Sequence, residues 1–599
     1  MDLTKNNIKM NSTFYIWVPI YVDMRRAIII LLTLQIFQLS CRAQQDMDVE
    51  LIMTAVGASD PDELDQEDLE RLSAYLDAPI SLNEASKDRL KHSGLFSSYQ
   101  LASIEDYRAR HGNIMSFAEL SAIDGFSESI VKRIAPFIEV GGTLAPEKHR
   151  QREVVLRTFG RWSHQRGHCS SALMYGLKSR MDVSRHLSLA LGFSRPYLSS
   201  GIYPEAFAGN ISINFKRPCI NLLIGNFNVR YGQGLAVWNG TSFSSLSAPS
   251  AFMRKPSGIS PGYSFNGGST MSGVASSYRN HILSVSLFLS FPGLKDAGRR
   301  LQIRDITPGL NVSCFCRSGH CSLTHVQDMV VIGDRLRIPE MKSSLDWAFC
   351  LRGINIYGEV MYDWVWRIMP FLAGLGFNIG DNVSNALRLK YAHDRSWTGA
   401  FSTEYLSADR LHNVMLAAES VLYDIGKSEN ADKSLQAKGI LLWEYKSKGG
   451  FCFRLRLSER FRTWNEMFRT DLRADFEYRK ASFHSRVRMN ILECSDMGYM
   501  AFAEAGFMTG MFSVCLRQGI FAADSWEDRI YVSERDVPGA FNVPALYGRG
   551  EWTSLFASFK IRRIMKFYLR LSYFAFPFMP AEKQKPGKAE LKFQLNVRF

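Results

Sequence analysis

The chain has 599 residues, 46% apolar, 22% charged and 12% aromatic, with a mean hydropathy of −0.11. That is too polar for a bundle of membrane-spanning helices and too long for one ordinary soluble domain. The net charge of +14 is unevenly spread: eleven acids and one arginine between Asp46 and Leu82 give that stretch −10, whereas residues 141–599 carry +22, so the two parts face different partners or environments. Ten cysteines, mostly isolated, are too sparse for a disulfide scaffold and too scattered for a recurring zinc pattern.

Residues 1–43 read as an N-terminal extension and signal peptide. Arg25 and Arg26 precede the apolar run AIIILLTLQIF, which is long enough for a secretory signal and too short to span a bilayer. Cys41 and Ala43 are the small residues that favour cleavage before Gln44, so export is expected. Met24 begins this signal architecture, and Met1 is the other candidate start. An uncleaved anchor and a lipidated Cys41 are the alternatives.

Residues 44–140 form a small all-α head. Over 62–76, Leu64, Leu69, Leu72 and Leu76 recur at near-helical spacing behind Pro61 and a run of acids, which predicts an acidic amphipathic helix. A second unit starts at Asn83, a good N-cap, and runs to Ser93-Gly94-Leu95-Phe96, after which SSYQLASIEDYRARHG resumes a helical pattern. A third starts at Ser116 with Glu119 three residues on, a capping box, and continues through Ile123-Asp124-Gly125-Phe126-Ser127 into a helix ending near Ile138.

Helix, a turn with an apolar residue after glycine, then helix, occurring twice, resembles the tandem helix-hairpin-helix domain of competence-type DNA receptors over about 60 residues. In that family the hairpin reads Pro-Gly-hydrophobic-Gly, and backbone N–H groups at a helix N-terminus hold a DNA phosphate without reading bases. The resemblance implies that Gly94 and Gly125 are the first glycines and Leu95 and Phe126 the apolar plugs. Phe96 and Ser127 replace the second glycines, which departs from close phosphate approach, although Ser127 is able to cap its helix. Lys87, Lys91, Lys132 and Arg133 are the candidate cations for double-stranded DNA. The module is near neutral beside a −10 segment, a weak footprint for nucleic acid, so docking to a periplasmic protein is the competing expectation.

After a linker at 141–149, residues 150–599 show strand alternation without a sustained helical period. Leu187, Leu189, Leu191 and Phe193 alternate with small residues, as do Leu283, Val285, Leu287 and Leu289; Phe451, Phe453, Leu455 and Leu457 oppose Cys452, Arg454 and Arg456; Phe483, Val487, Met489 and Ile491 oppose His484, Arg486, Arg488 and Asn490. The chain ends with Leu591, Phe593, Leu595, Val597 and Phe599 alternating to a terminal aromatic, which resembles the last-strand signal that the assembly machinery of bacterial outer membranes recognises. The predicted fold class is therefore mostly β: a large antiparallel transmembrane β-barrel of about 18–22 strands over 150–599, preceded by the helical head. Tyr362, Trp364 and Tyr573 are girdle candidates. The Gly-, Ser- and Pro-rich stretch 233–268 reads as one long loop, extracellular or folded into the lumen.

Motifs for chemistry are few. Cys314, Cys316, His320 and Cys321 suggest zinc by residue type, but strand geometry puts Cys321 beyond a turn and no second cluster supports it. Gly232-Gln233-Gly234 lacks the helix and later acid of a dinucleotide site and reads as a turn. No catalytic residue, metal or cofactor is expected. Arg454, Arg456, Arg486 and Arg488 are candidate lumen residues, either as an anion-favouring interior or paired with Asp475 and Glu477. The expected protein is a non-enzymatic outer-membrane barrel of a Gram-negative bacterium, embedded in lipid with its head periplasmic. The head binds DNA for uptake or tethering, or docks an envelope protein while the barrel is a pore or anchor. A TonB-dependent transporter is disfavoured because the head is helical and lacks the larger globular plug domain that such a family places before its barrel.

Overall fold

Alternating apolar and polar side chains require two different surroundings, and the chain supplies them with a wall that closes on itself. A computed structural model describes residues 49–56, 66–141 and 152–599, except 166–167, 185, 196–200, 217, 241–245, 266–269, 281, 292–304, 333–334, 424–433, 541, 563 and 580–584. The signal-peptide region, residues 62–65 and nearly all of the 141–149 linker lie outside the described residues. Among the described residues, twenty-four antiparallel strands run round the wall in chain order, from Arg152–Gln165 to Gly587–Arg598. They close by pairing Glu153 with Arg598 and His164 with Gly587. The expectation of 18–22 strands is corrected to 24: turns at one end are as short as 317–318 and 352–353, so less of the chain goes into connections.

The C-terminus and the short turns share one end of the wall; the long connections 231–270 and 524–547 are at the other. In outer-membrane barrels short turns are periplasmic and long loops extracellular. The faces are equally clear. Along Phe483–Glu493, Phe483, Val487, Met489 and Ile491 are exposed on the outside, whereas His484, Arg486, Arg488 and Asn490 are buried inside. On the final strand Leu591, Phe593, Leu595 and Val597 look outward while Glu590, Lys592, Gln594 and Asn596 are buried, and the Phe599 amide donates to the Arg152 carbonyl at 2.9 Å. Water would punish this inside-out arrangement, but lipid rewards it, because a closed sheet leaves no wall N–H or C=O unpaired in hydrocarbon.

Aromatic rings mark both membrane boundaries. Toward the short-turn end, Trp443 packs on Phe453 at 5.4 Å, Phe453 on Phe476 at 4.8 Å and Phe451 on Tyr478 at 4.5 Å. Toward the long-loop end, Tyr362 meets Trp364 and Tyr391 meets Trp397, each at 4.9 Å, and Tyr573 is exposed. Amphipathic rings prefer these interfacial depths. The wall is that of an outer-membrane barrel.

One tight spot breaks the regular ladder. Gly225, at φ +107°, lies opposite Gly273 across neighbouring strands, and a Cβ on Gly225 would sit 2.2 Å from the Gly209 carbonyl oxygen. The pairing of this strand, Cys219–Arg230, with Ala206–Lys216 ends at Gly225, and Phe227–Arg230 pair with a short extra strand, Gly258–Pro261. The chain then turns inward: within 231–265, Tyr231, Val237, Leu246, Phe252 and Phe265 are buried. Gly232 and Gly234, both at positive φ, make the turn expected there. Glu359 on the wall anchors it by accepting from the amides of Gln233 at 2.7 Å, Leu235 at 3.0 Å and Ala236 at 3.3 Å. Of the two expected placements for this loop, the lumen is the one observed. Residues 524–547 also enter, burying Ile530, Val532, Val537 and Leu546.

Leu571, outward-facing near the middle of Met565–Ala575, tests the lipid assignment. Leu571→Arg is expected to lower stability by about 2–4 kcal/mol when unfolding is titrated in lipid vesicles. In a water-soluble protein the same exposed substitution would be nearly neutral.

Candidate functional site: the head inside the barrel

The head contains six short helices among the described residues: α1 (Val49–Val56), α2 (Gln66–Asp77), α3 (Lys87–His92), α4 (Ser98–His111), α5 (Phe117–Ser121) and α6 (Glu128–Ile134). The acidic amphipathic helix is α2, with Leu69, Leu72 and Leu76 buried and Pro79 just beyond its end. Asn83 is not the N-cap expected. Ser86 caps α3, while the Asn83 side chain accepts from the Ile114 amide at 2.9 Å and donates to the Ile114 and Gly141 carbonyls, a long-range bridge that local spacing does not reveal. Ser116 caps α5 by accepting from the Glu119 amide, as read, but the expected capping box is not closed, because the Glu119 carboxylate accepts from the Met115 amide at 2.7 Å. The last helix stops at Ile134 rather than Ile138: Pro136 cannot continue it, and Ile138–Glu139 forms a parallel pair with Ile80–Ser81.

Both turn units fold as spaced. Gly94 (φ +70°) and Gly125 (φ +84°) take backbone conformations that favour glycine, and a Cβ on Gly125 would meet the Tyr99 ring at 2.8 Å. Ser97 and Ser127 then cap α4 and α6. Leu95, Phe96 and Phe126 are not displayed; all three are buried in the head's core, with the rings of Phe96 and Phe126 edge to face at 6.3 Å. Phe96 at the second-glycine position therefore gives core packing instead of an open approach to backbone.

The head is lodged in the periplasmic mouth of the barrel, held by ion pairs. From the acidic segment, Asp68 meets Arg230 at 2.7 Å, Glu70 pairs with Lys178, and Asp77 pairs with Lys566 and lies 3.2 Å from Arg598. Asp88 meets Arg279 at 2.6 Å. On the other side of the head, Arg133 pairs with Glu404 at 2.5 Å and bonds Ser250, Lys132 lies 3.9 Å from Glu444, and Glu128 meets Arg410 at 2.9 Å. Lys178 is on the second wall strand and Glu404 on the fourteenth, half the circumference away, so the head spans the lumen. The inward loops complete the contact: Lys255 donates to the Leu95 carbonyl at 2.8 Å, the Phe265 amide donates to Glu70, and the Arg157 guanidinium lies over the Phe265 ring at 4.3 Å while donating to the Pro538 and Gly539 carbonyls.

The cations nominated for DNA are thus placed as follows. Lys132 and Arg133 face barrel carboxylates, Lys87 pairs with Glu105 within the head, and Lys91 sits 6.0 Å from the Phe315 ring centroid. Burial pushes the Lys91 and Lys255 ammonium groups down to about 8 and the His92 imidazole down to about 4. Three of the four candidate lumen arginines are paired with carboxylates. Arg454 meets Glu444 at 2.9 Å, Arg486 pairs with Glu477, and Arg488 meets Asp475 at 2.5 Å beneath the Phe502 ring; Arg456 is half-buried opposite Arg473. The CFCRSGHC cluster splits between faces: Cys314, Cys316 and Cys321 are exposed on the outside, whereas His320 is buried inside, 3.3 Å from Asp346. Sequence reasoning missed the barrel residues that receive the head. Their one signal was the bulk charge imbalance, −10 against +22.

No family model and no curated protein matches the chain. Among solved structures, the siderophore receptor PirA from Pseudomonas aeruginosa aligns at a TM-score of 0.41 with 7% identity, covering 75% of this chain and 81% of that one. PirA from Acinetobacter baumannii aligns at 0.40 with 6% identity, covering 77% and 82%. The P pilus usher PapC translocation pore aligns at 0.38 with 10% identity, covering 75% and 99%.

Two measurements follow from the docking geometry. Asp68 and Arg230 are both nearly fully buried, and Arg71 of the same helix also pairs with Asp68, so Arg230→Ala removes one charged hydrogen bond without stranding the carboxylate and should favour local opening of the head by about 1.5–3 kcal/mol in hydrogen exchange. Arg410→Ala, at an exposed pair, should change it by less than about 1 kcal/mol. The second concerns pH. An undocked imidazole takes a proton near pH 6.5, but half-buried His92, desolvated in the folded state, refuses one until about pH 4; the native state therefore binds fewer protons in that window, and its stability falls as pH drops through it. Protection of α3 amides, referred to the intrinsic exchange rate at each pH, should fall below pH 6.5 in the wild type and less so in His92→Gln.

Proposed function

We propose that the chain is a non-enzymatic outer-membrane conduit for transport or envelope assembly, and that its helical head is a displaceable plug rather than a freely tethered domain. One observation carries this reading: the head bridges the second and fourteenth wall strands through buried ion pairs of opposite polarity. Ion pairs suit a part that must leave and return, since water can solvate both partners after separation, whereas an apolar seal would expose a sticky surface. The head's periplasmic face keeps Met115 and Phe117 exposed, a foothold for the envelope protein that would pull it. Lipid and the barrel assembly machinery are the remaining partners of this reading, the latter through the Phe593–Phe599 terminal strand.

The second reading is DNA handling. It is favoured by paired positive-φ glycines ahead of serine-capped helices, the backbone arrangement of a tandem helix-hairpin-helix unit. Because Lys255 holds the first turn and barrel carboxylates hold Lys132 and Arg133, duplex binding would require the head to come out first.

The test is ion conductance of the full chain in planar bilayers. Wild type is expected to show small, rare openings, and Asp68→Asn with Asp77→Asn to raise open probability by about tenfold or more, the scale of a lost buried pair. Equal conductance in both would overturn the plug. Labelled duplex added to the opened variant at two salt concentrations separates the readings: salt-sensitive, sequence-independent binding favours DNA.

A further inference from the structure

Three buried ligand-type side chains converge on the lumen wall away from the head. His484, Glu504 and Cys515 lie on consecutive strands, Phe483–Glu493, Met497–Met508 and Phe512–Ala523. Gly506 is the register partner of both His484 and Cys515, and Glu504 is two residues from it on the same inward face. One ligand atom from each residue lies within 4.8 Å of the others, and all three residues are buried. The imidazole Nδ1 is 3.8 Å from Glu504 Oε1. Its Nε2, also buried, has no hydrogen-bond partner among the described residues, a costly state for an imidazole whose task is structural.

The cover of this cluster comes from a loop. Arg535, within 524–547, donates to Glu504 Oε1 at 2.9 Å and approaches His484 Nδ1 at 3.4 Å; Val537 belongs to the same apolar cluster as Cys515. Arg517 takes the other carboxylate oxygen, Oε2, at 2.6 Å. One guanidinium is thus fixed to the wall and the other is carried by a loop that enters from outside.

We propose that His484, Glu504 and Cys515 form a site for one divalent transition-metal ion of zinc type, and that the ion replaces the Arg535 guanidinium at Glu504 Oε1. Imidazole nitrogen, carboxylate oxygen and thiolate sulfur are the donor set that zinc prefers, and three protein donors leave a fourth position open. Binding deprotonates the Cys515 thiol, and the proton passes to solvent. Because the ion and Arg535 compete, metal binding and docking of the 524–547 loop are linked, and each opposes the other by the same factor. That consequence rests on the plug reading, since the loop's 538 and 539 carbonyls accept from Arg157 beside Glu70 of the head. The site itself does not.

Cobalt(II) is the probe, titrated into the detergent-solubilised full chain with Cys314, Cys316 and Cys321 replaced by serine, and native folding checked by heat-modifiable gel mobility. Expected are one equivalent bound, a thiolate-to-cobalt absorption band that Cys515→Ser removes, displacement by zinc, and about tenfold tighter binding in Arg535→Gln. The gain in Arg535→Gln guards against a variant that merely fails to fold. A missing band in folded Arg535→Gln, a band that survives Cys515→Ser, or affinity unchanged or weakened by Arg535→Gln would overturn the site. Failure of the plug reading would appear in conductance and leave this spectrum unaltered.

Discussion

Everything inside this barrel depends on an electrostatic fit between an acidic helix and a basic lumen. Asp68, Glu70 and Asp77 project from α2 onto Arg230, Lys178, Lys566 and Arg598, drawn from the fifth, second and last two wall strands. Each surface neutralises the other. Carboxylates held against a low-dielectric wall without the lumen cations, or those cations held there without the carboxylates, would cost several kcal/mol in desolvation. The uneven charge of the sequence is therefore a docking code and not a statement about two separate environments.

The same rule organises the rest of the interior. Where the head does not reach, loop 524–547 takes over: Asp536 meets Lys592 at 2.6 Å and Arg570 at 3.3 Å, and Arg535 bonds Glu504. Loop 231–265 is held by backbone donors on Glu359 and by Lys255 on the head. Each inserted segment is tethered by polar contacts, while its apolar residues pack in small separate clusters. Such an interior divides into separate apolar clusters rather than one continuous core, which is what the proposed movable plug requires.

Much of the wall was legible from alternation alone. The outward set Phe483, Val487, Met489 and Ile491 and the inward set Arg486 and Arg488 fall where a period of two puts them, and the terminal alternation ending at Phe599 is the strand that closes the barrel. Strand number was not legible, since alternation marks a strand without giving the length of its turn. In the head, Gly94 and Gly125 were readable because left-handed backbone selects glycine. The true cap at Ser86 and the bridge from Asn83 to Ile114 were not, because the latter spans 31 residues of chain. Docking was the largest omission. Pairs such as Asp77 with Lys566 join residues nearly 500 positions apart, and local sequence holds no record of that separation.

Carbodiimide coupling in intact outer membranes addresses the central claim directly, because it joins a carboxylate to an amine only when the two are in contact. Mass spectrometry of the folded protein should find amide-linked peptides joining Asp77 to Lys566 and Glu70 to Lys178. A folded barrel that yields neither cross-link, while coupling Lys87 to Glu105 within the head, would mean that the head does not reside in the lumen.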